Sequence, residues 1–230
     1  MPYLKRAVTD ADPPDRAPLD HLQELFDLTA NNYDAHLKSI GNAGPRQIAD
    51  AIDDLELSDL QDQVILDAGC GTGLCGELLR PQSRFLVGVD ISRKMLEQAR
   101  ERGCYDSIVC SGIVDFTGRA EMKYDLVVLS DVFVYFGALD EVLENISLRL
   151  NESGHIVFSV ETLNPSGASK LGVERGYKLA ANGRYSHTPE YIDRILRVSG
   201  FKRPRLLKHD ILRQEFGNPV ECMVVAAGVM

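Results

Sequence analysis

Two spacings of apolar residues follow one another along this chain. Between residues 19 and 55 the spacing is helical. Leu19, Leu22, Leu25, Phe26 and Leu28 fall on one face, Asn31–Ser39 gives a short second helix with Tyr33, and Pro45 opens a third that gathers Ile48, Ala51, Ile52 and Leu55. From residue 63 short apolar runs alternate with amphipathic stretches. This predicts strands over 64–67, 85–89, 107–110, 125–130 and 154–160, and helices over 73–80, 92–102, 139–150 and 188–199. Ser92 and Gly103 supply an N-cap and a stop for the second of these helices. Two late strands, 203–212 and 219–227, are joined so tightly that they must pair antiparallel. The order implies an α/β protein in which five parallel strands are closed by a hairpin.

Around this core the chain divides into a flexible, proline-bearing arm over 1–18, an N-terminal helical cap over 19–60 and the main domain over 61–230. A long stretch, 162–187, is rich in Gly, Asn and Ser and reads as a functional or disordered loop.

Composition narrows the partners. A net charge of −9 with no basic run disfavours nucleic acid. Lys202, Arg203, Arg205, Lys208 and Arg213 read as the solvated side of a late strand. No segment reaches the length of a membrane helix, and the N-terminus lacks the apolar core of a signal peptide. The five cysteines show no metal-ligand spacing, so no metal site is expected, and their odd number suits buried thiols in a reducing, cytoplasmic setting.

The candidate chemistry starts at Val64–Leu74. An apolar strand ends in Asp67, and Gly69, Gly71 and Gly73 follow at alternate positions before a helix. Such a turn, with Cys70 in it, lets a ligand press against bare backbone. A dinucleotide fingerprint would need glycine at position 74, where this chain has Leu, and Asp67 would repel a pyrophosphate while suiting an ammonium group. Asp90 ends the second strand, where an acid can accept two hydrogen bonds from a ribose diol, and Ile91 beside it suits an adenine face. Ser130 and Asp131 fall at the end of the fourth strand, ahead of the aromatics Phe133, Tyr135 and Phe136.

The Asp-x-Gly-x-Gly-x-Gly spacing resembles motif I of class I S-adenosylmethionine (SAM)-dependent methyltransferases, and Tyr124-Asp125-Leu126-Val127 resembles their motif IV. The resemblance implies a Rossmann-like fold: a seven-stranded, mostly parallel sheet with an antiparallel last strand and extra N-terminal helices. It implies SAM as cofactor, with the methionine moiety beside the glycine turn, Asp67 on its ammonium and backbone N–H groups of the helix start on its carboxylate. Tyr33 would close over that carboxylate. In the family an acid after the third strand reads adenine. Gly112 stands in that place here, leaving a backbone N–H of Ile113, or Asp115 out of register, to meet the ring.

Gly183-Arg184-Tyr185-Ser186-His187 resembles a segment of predicted methyltransferases linked to TPR repeats. His187 is the first candidate base, because imidazole titrates near neutrality, with Tyr185 and Asp131 to orient the acceptor. The resulting expectation is methyl transfer to an O, N or S atom of a small molecule. A SAM-binding regulatory module without turnover and a protein methyltransferase stay open beside it.

Overall fold

The computed structural model describes residues 13–55, 62–119, 121–164, 174–202, 204 and 206–230. Three helices come first: α1 (Leu19–Thr29), α2 (Tyr33–Ser39) and α3 (Gly44–Asp54). The sheet then begins with β1 (Gln63–Ala68), β2 (Ser83–Asp90), β3 (Ser107–Cys110), β4 (Tyr124–Leu129) and β5 (Leu150–Thr162). Between them lie α4 (Leu74–Leu79), α5 (Arg93–Arg102), α6 (Ile113–Arg119) and α7 (Asp140–Arg149). A small pair, β6 (Tyr177–Leu179) and β7 (Tyr185–His187), precedes α8 (Pro189–Val198), and β8 (Leu206–Glu215) and β9 (Asn218–Gly228) finish the chain.

The first five strands are parallel in the order β3-β2-β1-β4-β5. β9 then pairs antiparallel with both β5 and β8, which completes the expected seven-stranded body. Phe216 and Gly217 turn the β8–β9 hairpin, both with positive φ (50° and 78°), the geometry that lets a two-residue loop follow the strand twist. Side chains alternate across the sheet. Ile65, Leu86, Leu126 and Val157 face α3 and α4, whereas Leu66, Val87, Val127 and Phe158 pack with residues of α7 and α8. The sheet is therefore covered on both faces, as a parallel sheet must be.

Three expectations change. β6 and β7 and the turn between them occupy part of the stretch read as a loop, because β7 adds to the end of β5; residues 165–173 of that stretch lie outside the described residues. Of the expected arm, residues 1–12 lie outside the described residues, but 14–17 are pinned. Ala17 is buried and its N–H donates to the Tyr135 carbonyl at 2.8 Å, and Asp15 O accepts from Gly137 N at 2.7 Å. Finally, α3 sends Ile48, Ala51 and Ile52 into the sheet core, so it packs as part of the main body.

Candidate active site

The glycine loop is strapped to the neighbouring strand. Gly69 N and Cys70 N donate to the Val89 carbonyl at 2.7 and 3.0 Å, and Gly71 N donates to Asp90 Oδ2 at 3.0 Å. Gly69, Gly71 and Gly73 all have positive φ (84°, 54° and 93°), which a side chain would strain. Their surroundings differ. A Cβ at Gly71 would meet nothing within 4 Å, one at Gly69 would strike Val132 at 2.4 Å, and one at Gly73 would press on Arg102 at 3.0 Å and Tyr105 at 3.1 Å. Gly71 thus leaves bare backbone toward open space, while Gly69 and Gly73 serve close packing.

A cleft opens at the carboxyl ends of β1, β2 and β4. Its position is where open α/β sheets hold ligands. Gly69, Gly71, Asp90, Ile91, Gly112, Ile113, Ser130, Asp131 and Tyr33 all border it. One wing, with Ile91, Met95, Gly112 and Ile113, is a largely apolar slot; the other runs to Ser130, Asp131 and Tyr135. A second opening of about 400 Å³ continues past the loop, bordered by Cys70, Thr72, Asn42 and Leu74. Asp90 Oδ1 accepts from Ser92 N at 2.8 Å, so both its oxygens are oriented by backbone. Burial raises its pKa and those N–H groups lower it.

Residues outside the motifs complete the cleft. Leu19, Leu22 and Phe26 of α1 border it, and Phe26 meets Tyr33 and Tyr135 edge-on at 6.2 and 5.5 Å. The cap is tied to the body. Ser92 Oγ donates to Asp27 Oδ1 at 2.6 Å, Thr72 Oγ1 donates to Asp34 Oδ1 at 2.6 Å, and Arg102 pairs with Asp34. Burial, followed by the charges of Asp131, Tyr135 and Asp90, raises the Tyr33 hydroxyl far above the ordinary range, so it stays a donor.

Asp131 has a left-handed backbone (φ 56°), and its N–H donates to Ser159 Oγ at 2.9 Å. Its carboxylate accepts from Asn42 Nδ2 at 3.3 Å and from one nitrogen of Arg213 at 3.3 Å to each oxygen. Burial pushes Asp131 up to about 6, against the pull of Arg184 and Asn42. Arg213 also binds Glu161, and its Nε donates to Glu215 Oε1 at 2.7 Å. Arg184 donates to the same Glu215 oxygen at 2.5 Å. Burial pushes Glu161 up to about 8.

Several sequence-derived expectations land elsewhere. Asp67 is buried beneath the loop and does not border either opening; Oδ2 accepts the Tyr105 hydroxyl at 2.7 Å, and burial pushes its pKa up to about 7. The first N–H groups of the loop are spent on Val89 and Asp90, and α4 has only six residues. His187 is fully buried, with Nε2 3.1 Å from the Gly137 carbonyl and its ring stacked on Tyr191 at 5.6 Å. Burial pulls its pKa down to about 4. Tyr185 is also fully buried and donates to Pro14 O at 2.5 Å. Both therefore sit in packing behind the cleft. Asp115 is exposed and Phe133 lies in the core, whereas Phe136 and Tyr135 reach the cleft.

Arg213 corrects the reading of a solvated basic strand face, since it is only 1% exposed. Lys202 and Lys208 are exposed as expected, and Arg203 and Arg205 lie outside the described residues. The cause is an irregular register between Ile211 and Arg213, which buries Leu212 and Arg213 in succession. Cys110 is exposed rather than buried, and the other four cysteines are buried. Among the described residues no cluster of His, Cys, Asp and Glu is placed to hold a metal, and no helix is long and apolar enough to cross a membrane.

With this geometry in view, residues 66–156 match the family described as Methyltransferase domain. The chain shares its α/β, Rossmann-like fold with solved methyltransferases. It superposes on the Burkholderia thailandensis 1,6-didemethyltoxoflavin-N1-methyltransferase, bound to 1,6-didemethyltoxoflavin and S-adenosylhomocysteine, with a TM-score of 0.69 at 18% identity, covering 96% of this chain and 93% of the other. The Synechocystis magnesium protoporphyrin IX methyltransferase with bound S-adenosylhomocysteine gives 0.66 at 18% identity, covering 92% and 99%.

Among curated proteins, the malonyl-[acyl-carrier protein] O-methyltransferase of Acetivibrio thermocellus is 30% identical over 141 residues, 60% of this chain and 48% of that protein. The ubiquinone biosynthesis O-methyltransferase of Vibrio vulnificus is 27% identical over 143 residues, 59% of this chain and 58% of that protein. This chain thus spans about half the length of the curated relatives it matches.

Proposed function

We propose that this protein is a SAM-dependent methyltransferase that passes a methyl group to an oxygen, nitrogen or sulfur of a small molecule. One observation carries this reading: bare glycine backbone, the oriented Asp90 carboxylate and an apolar slot border a single cleft at the strand ends. The residues fit a nucleoside with an amino-acid tail. Ile91, Met95 and Ile113 flank the space for a flat base, and the open side of Gly71 admits a tail where a Cβ would intrude. S-adenosylmethionine supplies, when bound, a methyl group already activated by its sulfonium.

The chain's own residues align and shield. Asp90 holds the sugar hydroxyls, the Gly112–Ile113 backbone meets the base in place of a side-chain acid, and Tyr33 donates toward the tail. Phe26, Tyr33 and Tyr135 exclude water from the transfer point and offer aromatic faces that favour a cation. Asp131 orients the acceptor and takes its proton where one is released. Most of the acceleration comes from alignment. The segment 183–187 supports kinship with the TPR-linked methyltransferases, and five free cysteines accord with a cytoplasmic setting.

The test is calorimetric titration with S-adenosylhomocysteine, followed by transfer of radiolabelled methyl to metabolite extracts. Micromolar binding and a labelled small molecule are expected. No heat with the ligand overturns the reading. Gly112, in place of an acid, favours a second reading, a cofactor-binding module without turnover. Tight binding with no labelled product from extracts or lysate proteins would select it.

A further inference from the structure

Three carboxylates, Asp131, Glu161 and Glu215, share two guanidiniums, Arg184 and Arg213, behind the polar wing of the cleft. Arg213 is the hub. It is 1% exposed and touches all three acids, each from a different part of the chain. A buried cation with one partner would be a poor arrangement, and one with three leaves a net negative site unless an acid keeps its proton. Burial raises Glu161 further than Asp131, so Glu161 takes up a proton more readily than Asp131. With that proton in place two carboxylates balance two guanidiniums, and Asp131 is the member that reaches the cleft.

Building on the methyltransferase reading above, we propose that Arg213 is a positioning residue for Asp131. It holds the carboxylate fixed and facing the cleft, so that the site takes an acceptor presenting a hydroxyl or N–H and rejects one presenting a carboxylate. Asp131 is already oriented from every side. Asn42 precedes α3, Tyr33 stands on α2, Tyr135 follows β4, Ser159 and Glu161 lie on β5, Arg184 precedes β7, and Arg213 and Glu215 lie on β8. The Asp131–Arg213 contact uses one guanidinium nitrogen, so the carboxylate retains acceptor capacity toward the cleft. Arg184 and Arg213, the guanidiniums of this cluster, are both engaged already and are not free to pair with a second anion there.

The test follows Asp131 by carbon NMR of carboxyl-labelled aspartate, assigned with Asp131→Asn, in protein saturated with S-adenosylhomocysteine. The unaltered protein is expected to titrate near 6. Arg213→Gln should raise that midpoint by about one unit or more, since the anion loses its cation. Should Arg213→Gln fail to fold, the comparison is Glu161→Gln/Arg213→Gln against Glu161→Gln, two proteins that share a neutral residue at 161 and differ only in the Arg213 cation. A merely structural Arg213 would lower stability and leave the midpoint in place, and that result overturns the proposal.

On the same loaded protein, phenol and benzylamine are expected to give stronger saturation-transfer signals than benzoate. Equal or stronger signals from benzoate overturn the assigned acceptor class. So does a loss of S-adenosylhomocysteine affinity of about tenfold or more in Asp131→Asn, which would place the acid on the cofactor tail. If the unaltered protein binds no S-adenosylhomocysteine, the methyltransferase reading fails, while the Asp131 titration still judges Arg213 on its own.

Discussion

The Tyr105 hydroxyl donates to Asp67 Oδ2 at 2.7 Å, so the acid at the head of the glycine motif is engaged from beneath rather than from the cleft. Three glycines make the room. A Cβ would lie 3.1 Å from the Tyr105 ring at Gly73, 3.0 Å at Gly88, and 2.3 Å from its hydroxyl at Gly76. The loop therefore rests on a tyrosine. Gly76→Ala is expected to destabilise the fold by about 1–3 kcal/mol, the usual cost of overpacking, read as a lower urea midpoint.

Asp67 titrates in the folded protein at about 7, against an ordinary 3.8. Between those values the folded state holds a proton that the unfolded state has released, so this group lowers stability as pH rises from about 4 to about 7. Asp67→Asn keeps an acceptor for Tyr105 and removes the titration. Scanning calorimetry near pH 5 and pH 8 should show the variant gaining on the unaltered protein at the higher pH.

His187 has the opposite sign. Its folded value is about 4, below the ordinary 6.5, so its contribution is present above 6.5 and is lost as pH falls toward 4. His187→Gln is expected to cost about 1–3 kcal/mol at neutral pH through a lost buried contact, to flatten that acid limb, and to leave S-adenosylhomocysteine affinity within about twofold. A large loss of affinity in a folded variant would return His187 to the site.

Asp90→Ala removes an acceptor from Gly71 N, another from Ser92 N, and both proposed sugar contacts. Hydrogen bonds to a charged group contribute about 1.5–3 kcal/mol each. Titration calorimetry should show S-adenosylhomocysteine affinity falling by about 100-fold or more, with the far-ultraviolet spectrum unchanged.

Arg102 ties the cap to the loop: its Nε donates to Thr72 O at 2.6 Å, and it pairs with Asp34 and Glu77. Arg102→Ala should speed chymotryptic cleavage around Tyr33 and Leu37 and weaken S-adenosylhomocysteine binding several-fold. Cleavage at the original rate would show that Ser92–Asp27 and Gln98–Ala30 hold the cap without it.

What the sequence made legible was local. Glycine spacing, the acid ending β2, the Ser92 cap and the Gly103 stop each depend on near neighbours, and the structure has Ser92 Oγ accepting from Met95 N and Gly103 at φ 67°. β3 has the expected bounds, and β1, β2 and β4 lie within two residues of theirs. What escaped was long-range. Nothing adjacent to Tyr105 announces Asp67, and alternation along β8 puts Arg213 outside until the register slips. His187 looked available because an imidazole near a loop suggests chemistry, yet β7 carries it under Tyr191. The signal for Tyr105 is spatial: Gly73, Gly76 and Gly88, from three separate places in the chain, leave the room its ring fills.

The Asp131–Arg213 contact joins residues 82 positions apart, and its basic half arrives on the terminal hairpin. The two ends of the cleft consequently depend on different portions of the polypeptide. Displacing β8 from β9 would take Arg213 and Glu215 away from the acceptor end, while the nucleoside slot, formed by residues that follow β2 and β3, draws on neither strand. Catalytic competence and ligand retention would then part company well before the chain as a whole comes undone.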